Sequence, residues 1–206
     1  MKNVLYCCLL CWLTLAFDVA GQSKQADYVV LPSASTIQWT GYYLFSFGEH
    51  TGTVGVVDGA LSFDSHDVLT GSTTIDMHTV KDLDMPYDDG GKDVGEHLMS
   101  KDFFDADRYP QARIDIIKTE PITDTRSGGP NTNVTANLTI KGISHPVTFE
   151  TLLTRTPTEL KATGKFKFDR TRWGIEYNSG KIFAEVGDGA ISDAVAIEFS
   201  LTAKSK

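Results

Sequence analysis

Short segments in which apolar and polar residues alternate run through most of this chain, and they constrain its fold more than any other feature. In the last segment, Val195, Ile197, Phe199 and Leu201 alternate with small, polar or charged residues. Successive side chains of a β-strand point to opposite faces of the sheet, so this period of two predicts strands with one apolar and one polar face. Such strands are typical of antiparallel sheets that bury one side.

The same alternation recurs along the chain, with Gly, Asn, Asp or Pro between the segments. It involves Ile37 and Trp39, Val54 and Val56, Leu61 and Phe63, Ile75 and Met77, Ile114 and Ile116, Val134, Leu138 and Ile140, Val147 and Phe149, and Phe166 and Phe168. The Asp58-Gly59 pair predicts a hairpin turn between Val56 and Leu61. Residues 95–105 have apolar residues at helical offsets and predict one or two short helical turns. Many short, evenly spaced strands indicate a sandwich or a closed barrel, and an interior of about eight strands is either filled by side chains or holds one small ligand.

The first 21 residues have the composition of a targeting segment. Lys2 precedes an almost unbroken apolar run over residues 4–17, and Val19-Ala20-Gly21 supplies the small residues that a signal peptidase recognises. The run is shorter than the roughly 20 apolar residues of a membrane-spanning helix. We therefore expect residues 1–21 to be a secretory signal peptide, with a short membrane anchor as the alternative, and residues 22–206 to form one domain.

Composition argues against several classes of function. The net charge of −8 disfavours nucleic acid as a partner, because phosphate binding needs a surplus of basic residues. The three cysteines, Cys7, Cys8 and Cys11, all lie in the apolar run, so the mature domain would have no disulfide, thiolate nucleophile or cysteine-bound metal. No Gly-x-Ser-x-Gly segment is present, the five histidines lack metal-site spacing, and the acidic residues between 82 and 93 lack EF-hand order. We predict no catalytic residues, no metal site and no cofactor.

Four stretches, in order between residues 33 and 204, resemble motifs of the YceI-like family of exported, lipocalin-like isoprenoid-binding proteins. They are the opening strand and hairpin within residues 35–56, residues 97–110 (HLMSKDFFDADRYP), residues 137–147 (NLTIKGISHPV) and residues 168–175 (FDRTRWGI). The resemblance implies an all-β, antiparallel, eight-stranded lipocalin-like barrel with a short helical insertion, closed around an elongated apolar tunnel. It also implies a bacterial protein, periplasmic or secreted, with no catalytic activity established for the family as a class.

The second motif suggests local structural roles. We expect Asp102 to cap a short helix, Phe103 and Phe104 to close one end of the barrel, and Pro110 to begin the next strand. The alternative is that Phe103 or Phe104 lines the tunnel mouth and gates entry.

A lipid tunnel needs a concave, mostly apolar wall, and closure of a barrel directs alternate residues inward. The two arginines beside Trp173 offer forked donors for a polar or phosphorylated head group, with an internal Asp–Arg pair as the alternative. The alternation along a strand shows which side chains point inward, but not which of them line a tunnel and which fill the core. The candidate ligand-binding residues are Trp39, Phe45, Phe47, Met77, Phe103, Phe104, Phe166, Phe168, Arg170, Arg172, Trp173 and Ile175.

These observations predict an exported binding protein that holds a long-chain isoprenoid, an isoprenoid quinone or a similar amphiphilic lipid. Transient membrane contact and a homodimer are compatible with this hypothesis. Three alternatives stay open: an enzyme acting on a small amphiphile at the barrel mouth, an extracellular interaction protein with a solidly packed barrel, and a metal-dependent variant that uses the histidines.

Overall fold

The computed structural model describes residues 28–44, 48–84, 93–124, 126–182 and 189–206. Almost all regular structure in these residues is β. The strands are β1 (Tyr28–Val30), β2 (Thr36–Tyr42), β3 (Glu49–Phe63), β4 (Leu69–Asp82), β5 (Gln111–Pro121), β6 (Thr132–Ile140), β7 (Ile143–Arg155), β8 (Glu159–Asp169) and β9 (Ala194–Ser205). One helix, α1 (Val94–Met99), and 3-10 turns at Pro32–Ala34 and Arg170–Trp173 complete the described elements.

The sheet closes on itself. Consecutive strands from β2 to β9 pair antiparallel, and β9 returns to pair with β2, where Ile197 lies opposite Trp39. The short strand β1 pairs with the ends of both β3 and β9. Strands β1 and β2 therefore share one position of the wall, and the predicted closed antiparallel barrel of eight strands is confirmed. Closure removes the free edges that would otherwise expose unpaired backbone groups.

The predicted alternation is clearest in β6. Val134, Ala136, Leu138 and Ile140 are buried, and the residues between them are partly exposed. We call the end of the barrel that carries α1 and the Arg170–Trp173 turn the upper end, and the end that carries β1 the lower end. A buried cluster closes the lower end, formed by Tyr28, Val30, Leu61, Leu69, Leu160 and Ala203.

The hairpin predicted at Asp58-Gly59 is wrong. Strand β3 is 15 residues long and runs through this pair without a turn, with a register irregularity between Val56 and Asp58. Pairing with β4 on one side and β1 on the other outweighs the local turn preference. Gly59 has a packing role instead, because a Cβ atom there would lie 2.5 Å from Cγ2 of Val30 in β1.

The predicted short helix is confirmed as α1, but its cap differs from the prediction. The side chain of Asp93 caps the helix by accepting a hydrogen bond from the Glu96 amide at 2.9 Å. Asp102 lies beyond the last helical residue, Met99, so it cannot satisfy the free amides of the first turn. In the part of the chain described here, no helix combines the length and apolar character required to cross a membrane.

Candidate ligand cavity

A cavity of about 420 Å³ occupies the interior of the barrel, within the range of small-molecule sites. Every strand from β2 to β9 contributes inward residues to its wall, and most of them are apolar. Closure and strand parity together explain this wall, because each strand places alternate side chains inside. The cavity argues against a solidly packed barrel.

Three phenylalanines from neighbouring strands line the middle of the cavity. The rings of Phe149 and Phe166 stack with their centroids 4.9 Å apart, and Phe199 meets Phe149 edge-on at 5.6 Å. Gly164 makes room for this group, since a Cβ atom there would lie 2.8 Å from Cζ of Phe199. The result is a continuous aromatic surface on one side of the cavity.

The two ends of the cavity differ. At the lower end, Leu61 and Leu69 belong both to the wall and to the buried closing cluster. At the upper end, the wall includes the partly exposed side chains of Leu98, Phe104 and Tyr177. The buried cluster therefore closes the cavity below, whereas α1 and the segments beside it bound the cavity above.

Eight of the twelve candidate residues form part of the cavity wall. They are Trp39, Met77, Phe103, Phe104, Phe166, Phe168, Arg170 and Ile175. Phe45 and Phe47 lie outside the described residues. Arg172 is exposed, and neither it nor Trp173 belongs to the wall. Contact of any of these residues with a ligand stays a prediction.

Trp173 fills the core beside the cavity. Its side chain is fully buried, its Nε1 donates a hydrogen bond to the carbonyl of Leu138 at 3.1 Å, and its ring meets that of Phe168 edge-on at 5.2 Å. Strand β8 ends at Asp169, so the inward–outward alternation that includes Phe168 does not extend to Trp173. Sequence parity alone could not reveal this.

Arg170 is 3% exposed and holds the upper end together. Its guanidinium donates hydrogen bonds to the carbonyls of Ile175 (2.9 Å), Ser192 (3.1 Å) and Ile191 (3.2 Å), and it lies 3.8 Å from the carboxylate of Asp193. Burial lowers the pKa of Arg170, an effect that nearby carboxylates oppose only in part. The geometry therefore favours an internal Asp–Arg pair, with Asp193 as the partner of Arg170, over an arginine that binds a lipid head group.

His97 is a wall residue that the candidate set did not include. It is 7% exposed, and its ring meets Tyr177 edge-on at 4.8 Å and Phe103 at 5.1 Å. Its Nε2 lies 3.2 Å from a carboxylate oxygen of Asp102. The chain turns back after α1, which brings Asp102 to His97 across the helix end. The available signal was their shared position in the HLMSKDFFD segment.

A family model described as the YceI-like domain matches residues 28–203, nearly the whole span of the barrel. The chain belongs to the YceI-like domain family. Protein YceI of Escherichia coli is 28% identical over 151 residues, which cover 70% of each chain. The family resemblance of the four motifs is therefore confirmed.

Two solved structures share the YceI-like fold of this chain. BcnA of Burkholderia cenocepacia is 23% identical, with a TM-score of 0.60, over 84% of this chain and 98% of its own. A polyisoprenoid-binding domain from Saccharophagus degradans is 14% identical, with a TM-score of 0.64, over 88% of this chain and 100% of its own. At these identities the likeness concerns the fold.

Two of the YceI-like motifs are joined by hydrogen bonds at the upper end. Lys141 Nζ donates to the carbonyl of Gly174 at 3.3 Å, and Nε2 of His145 lies 3.0 Å from the carbonyl oxygen of Arg172. These contacts, like that of Trp173, tie the β6–β7 hairpin to the turn after β8. The motifs thus build the frame around the cavity mouth.

Antiparallel pairing also brings together His50, Asp82 and Asp84, whose potential ligand atoms lie within 4.8 Å of one another. Nδ1 of His50 is 3.1 Å from Asp84 and its Nε2 is 3.2 Å from the hydroxyl of Tyr43, so both nitrogens already face protein groups. Burial raises the pKa of Asp84, but hydrogen bonds from His50 and Thr51 outweigh it and hold that pKa below its ordinary value. Spacing along the sequence missed this group because it depends on the register of β3 with β4.

Proposed function

We propose that the mature chain is an exported binding protein that holds a long-chain isoprenoid, an isoprenoid quinone or a similar amphiphile inside the barrel. The observation that carries this proposal is the apolar cavity, closed at the lower end and walled by every strand from β2 to β9. Burial of a chain there gains about 25 cal/mol per Å² of apolar surface, offset in part by the loss of ligand freedom.

The comparisons support the same class of ligand. The Saccharophagus degradans domain that shares this fold is named for polyisoprenoid binding. We assign no catalytic role, because the guanidinium of Arg170 is bound by backbone carbonyls and the ring of His50 lies against Asp84 and Tyr43. Delivery or collection of such a lipid would require transient contact with a membrane.

Export is part of the proposal and rests on the sequence of residues 1–21, which lie outside the described residues. N-terminal sequencing of protein recovered from the periplasm or the medium is expected to begin at Gln22. An unprocessed chain in the membrane fraction would instead support the anchor.

Organic extraction of purified protein followed by mass spectrometry tests the binding function. A long-chain lipid in a stoichiometric amount is expected. A protein that carries no lipid, and that takes up no isoprenoid when one is added, would contradict the proposal.

A matched pair of variants on β8 makes the test specific. Ala162 belongs to the cavity wall, whereas Thr163 is exposed on the outer face. Ala162→Phe is expected to fill the cavity and abolish lipid recovery, and Thr163→Phe is expected to retain it. Equal recovery from both folded variants would place the lipid outside the barrel.

A further inference from the structure

The polar side chains of the cavity wall differ in whether they have a hydrogen-bond partner within the protein. Many have protein partners: Asn178 Nδ2 donates to the carbonyl of Gly189, and Ser192 Oγ accepts from the Ala194 amide. Among the described residues, two buried polar atoms of the wall have no hydrogen-bond partner, Nε1 of Trp39 and Oγ1 of Thr151. Buried polar atoms are nearly always hydrogen-bonded, so each of these needs an explanation.

Thr151 is the more constrained of the two. It is 2% exposed, whereas the Trp39 side chain as a whole is partly exposed. It lies in the lower half of β7, two residues beyond Phe149 on the same inward face. Its hydroxyl is therefore a polar group without a protein partner in the part of the cavity below the aromatic surface.

The neighbouring strands explain why Thr151 has no partner within the protein. On β8 it lies opposite Gly164, which has no side chain, and Gly164 is needed to admit the ring of Phe199. On β6 it lies opposite Thr132, whose hydroxyl donates to Asn131 Oδ1 at 3.0 Å. The packing that creates the aromatic surface thus leaves this hydroxyl available.

The charge of the wall limits what the hydroxyl can bind. A hydroxyl both donates and accepts, which suits an alcohol, phenol or carbonyl oxygen. A phosphate would need cations, yet Arg170 is at the upper end, committed to backbone carbonyls and beside Asp193. Among the described residues, the lower half of the wall contributes aliphatic and threonine side chains and no charged one.

We propose, building on the binding function above, that the ligand is an uncharged isoprenoid-like lipid that enters with its polar end leading. Its oxygen hydrogen-bonds to Thr151, and its apolar chain runs back along Phe149, Phe166 and Phe199 toward the upper end. Thr151 is then the residue that selects a neutral oxygen-bearing head group over a bare hydrocarbon or a phosphate.

Three C15 isoprenoids with different ends test this proposal on the delipidated full mature protein: farnesol, farnesene and farnesyl diphosphate. Farnesol is expected to bind more tightly than farnesyl diphosphate. In Thr151→Val the ratio of farnesol affinity to farnesene affinity is expected to fall about two- to tenfold, the effect of one hydrogen bond. The melting temperature of the lipid-free variant should not fall, because the lost hydroxyl had no partner.

Thr119→Val is the matched control. Thr119 is also buried in the lower half, but it lies outside the cavity wall and accepts a hydrogen bond from the Leu69 amide at 2.9 Å. This variant should melt at a lower temperature and keep the wild-type affinity ratio.

An unchanged ratio in Thr151→Val, with farnesol still bound, would overturn the proposal and show that a water or nothing faces the hydroxyl. Tighter binding of the diphosphate than of farnesol would also overturn it. Both results leave the binding function standing. Failure of all three isoprenoids to bind would contradict the binding function as well.

Discussion

Trp173→Phe is expected to lower the free energy of unfolding by about 2–3 kcal/mol and to leave lipid retention unchanged. The indole is fully buried but lies outside the cavity wall. Loss of its hydrogen bond to the Leu138 carbonyl costs about 1 kcal/mol. Phenylalanine also has about two fewer buried carbons, at about 0.8 kcal/mol each.

Urea unfolding of lipid-free protein measures the first quantity, and lipid recovered per mole of protein measures the second. For a domain of this size, the loss corresponds to a fall in melting temperature of about 5–10 °C. Phe166→Leu is the matched comparison, because Phe166 is in the wall and stacks on Phe149. It should cost about 1–2 kcal/mol and release lipid several-fold more readily.

Opposite results would refute the assignment of these two side chains. Release of lipid by Trp173→Phe at unchanged stability would show that the indole faces the ligand. Full retention by Phe166→Leu would show that the chain does not run along the aromatic surface.

Two further predictions concern the frame of the barrel. Gly52→Ala should cost at least about 1–3 kcal/mol, because its Cβ atom would overlap the backbone carbonyl oxygen of Lys81 and the ring of Trp39. Gly41→Ala, with 3.9 Å to that ring, should be nearly neutral in urea unfolding, and equal effects of the two substitutions would contradict this reasoning. Burial raises the pKa of Asp169, but hydrogen bonds from Thr171 outweigh it and hold that pKa below the ordinary 3.8. The ionised carboxylate therefore stabilises the folded state above about pH 4, and this stabilisation is lost as the pH falls through the pKa of the folded state. The difference in free energy of unfolding between wild type and Asp169→Asn should therefore become smaller in acid. A difference that stays constant from about pH 7 to pH 3 would contradict this reasoning.

The alternation of inward and outward residues along a strand is a local property, and it predicts many of the residues in the cavity wall. Met77, Phe166 and Phe168 lie in segments whose alternation is visible in the sequence, and all three are in the wall. Parity fails where a strand ends or where the backbone departs from regular pairing. Trp173 lies beyond the end of β8, and Asp58-Gly59 lies within a strand that its neighbours keep extended.

Local periodicity and motifs contiguous in the chain are enough to predict the all-β class, the position of the short helix and the family. Which polar groups find hydrogen-bond partners, in contrast, follows from contacts between segments that are distant in the chain. Thr151 lacks one because Gly164 and Thr132 lie beside it, and His50 gains one because β3–β4 pairing brings Asp84 near. Such contacts follow from the register between strands, and register is set by the packing of the whole barrel rather than by any single segment.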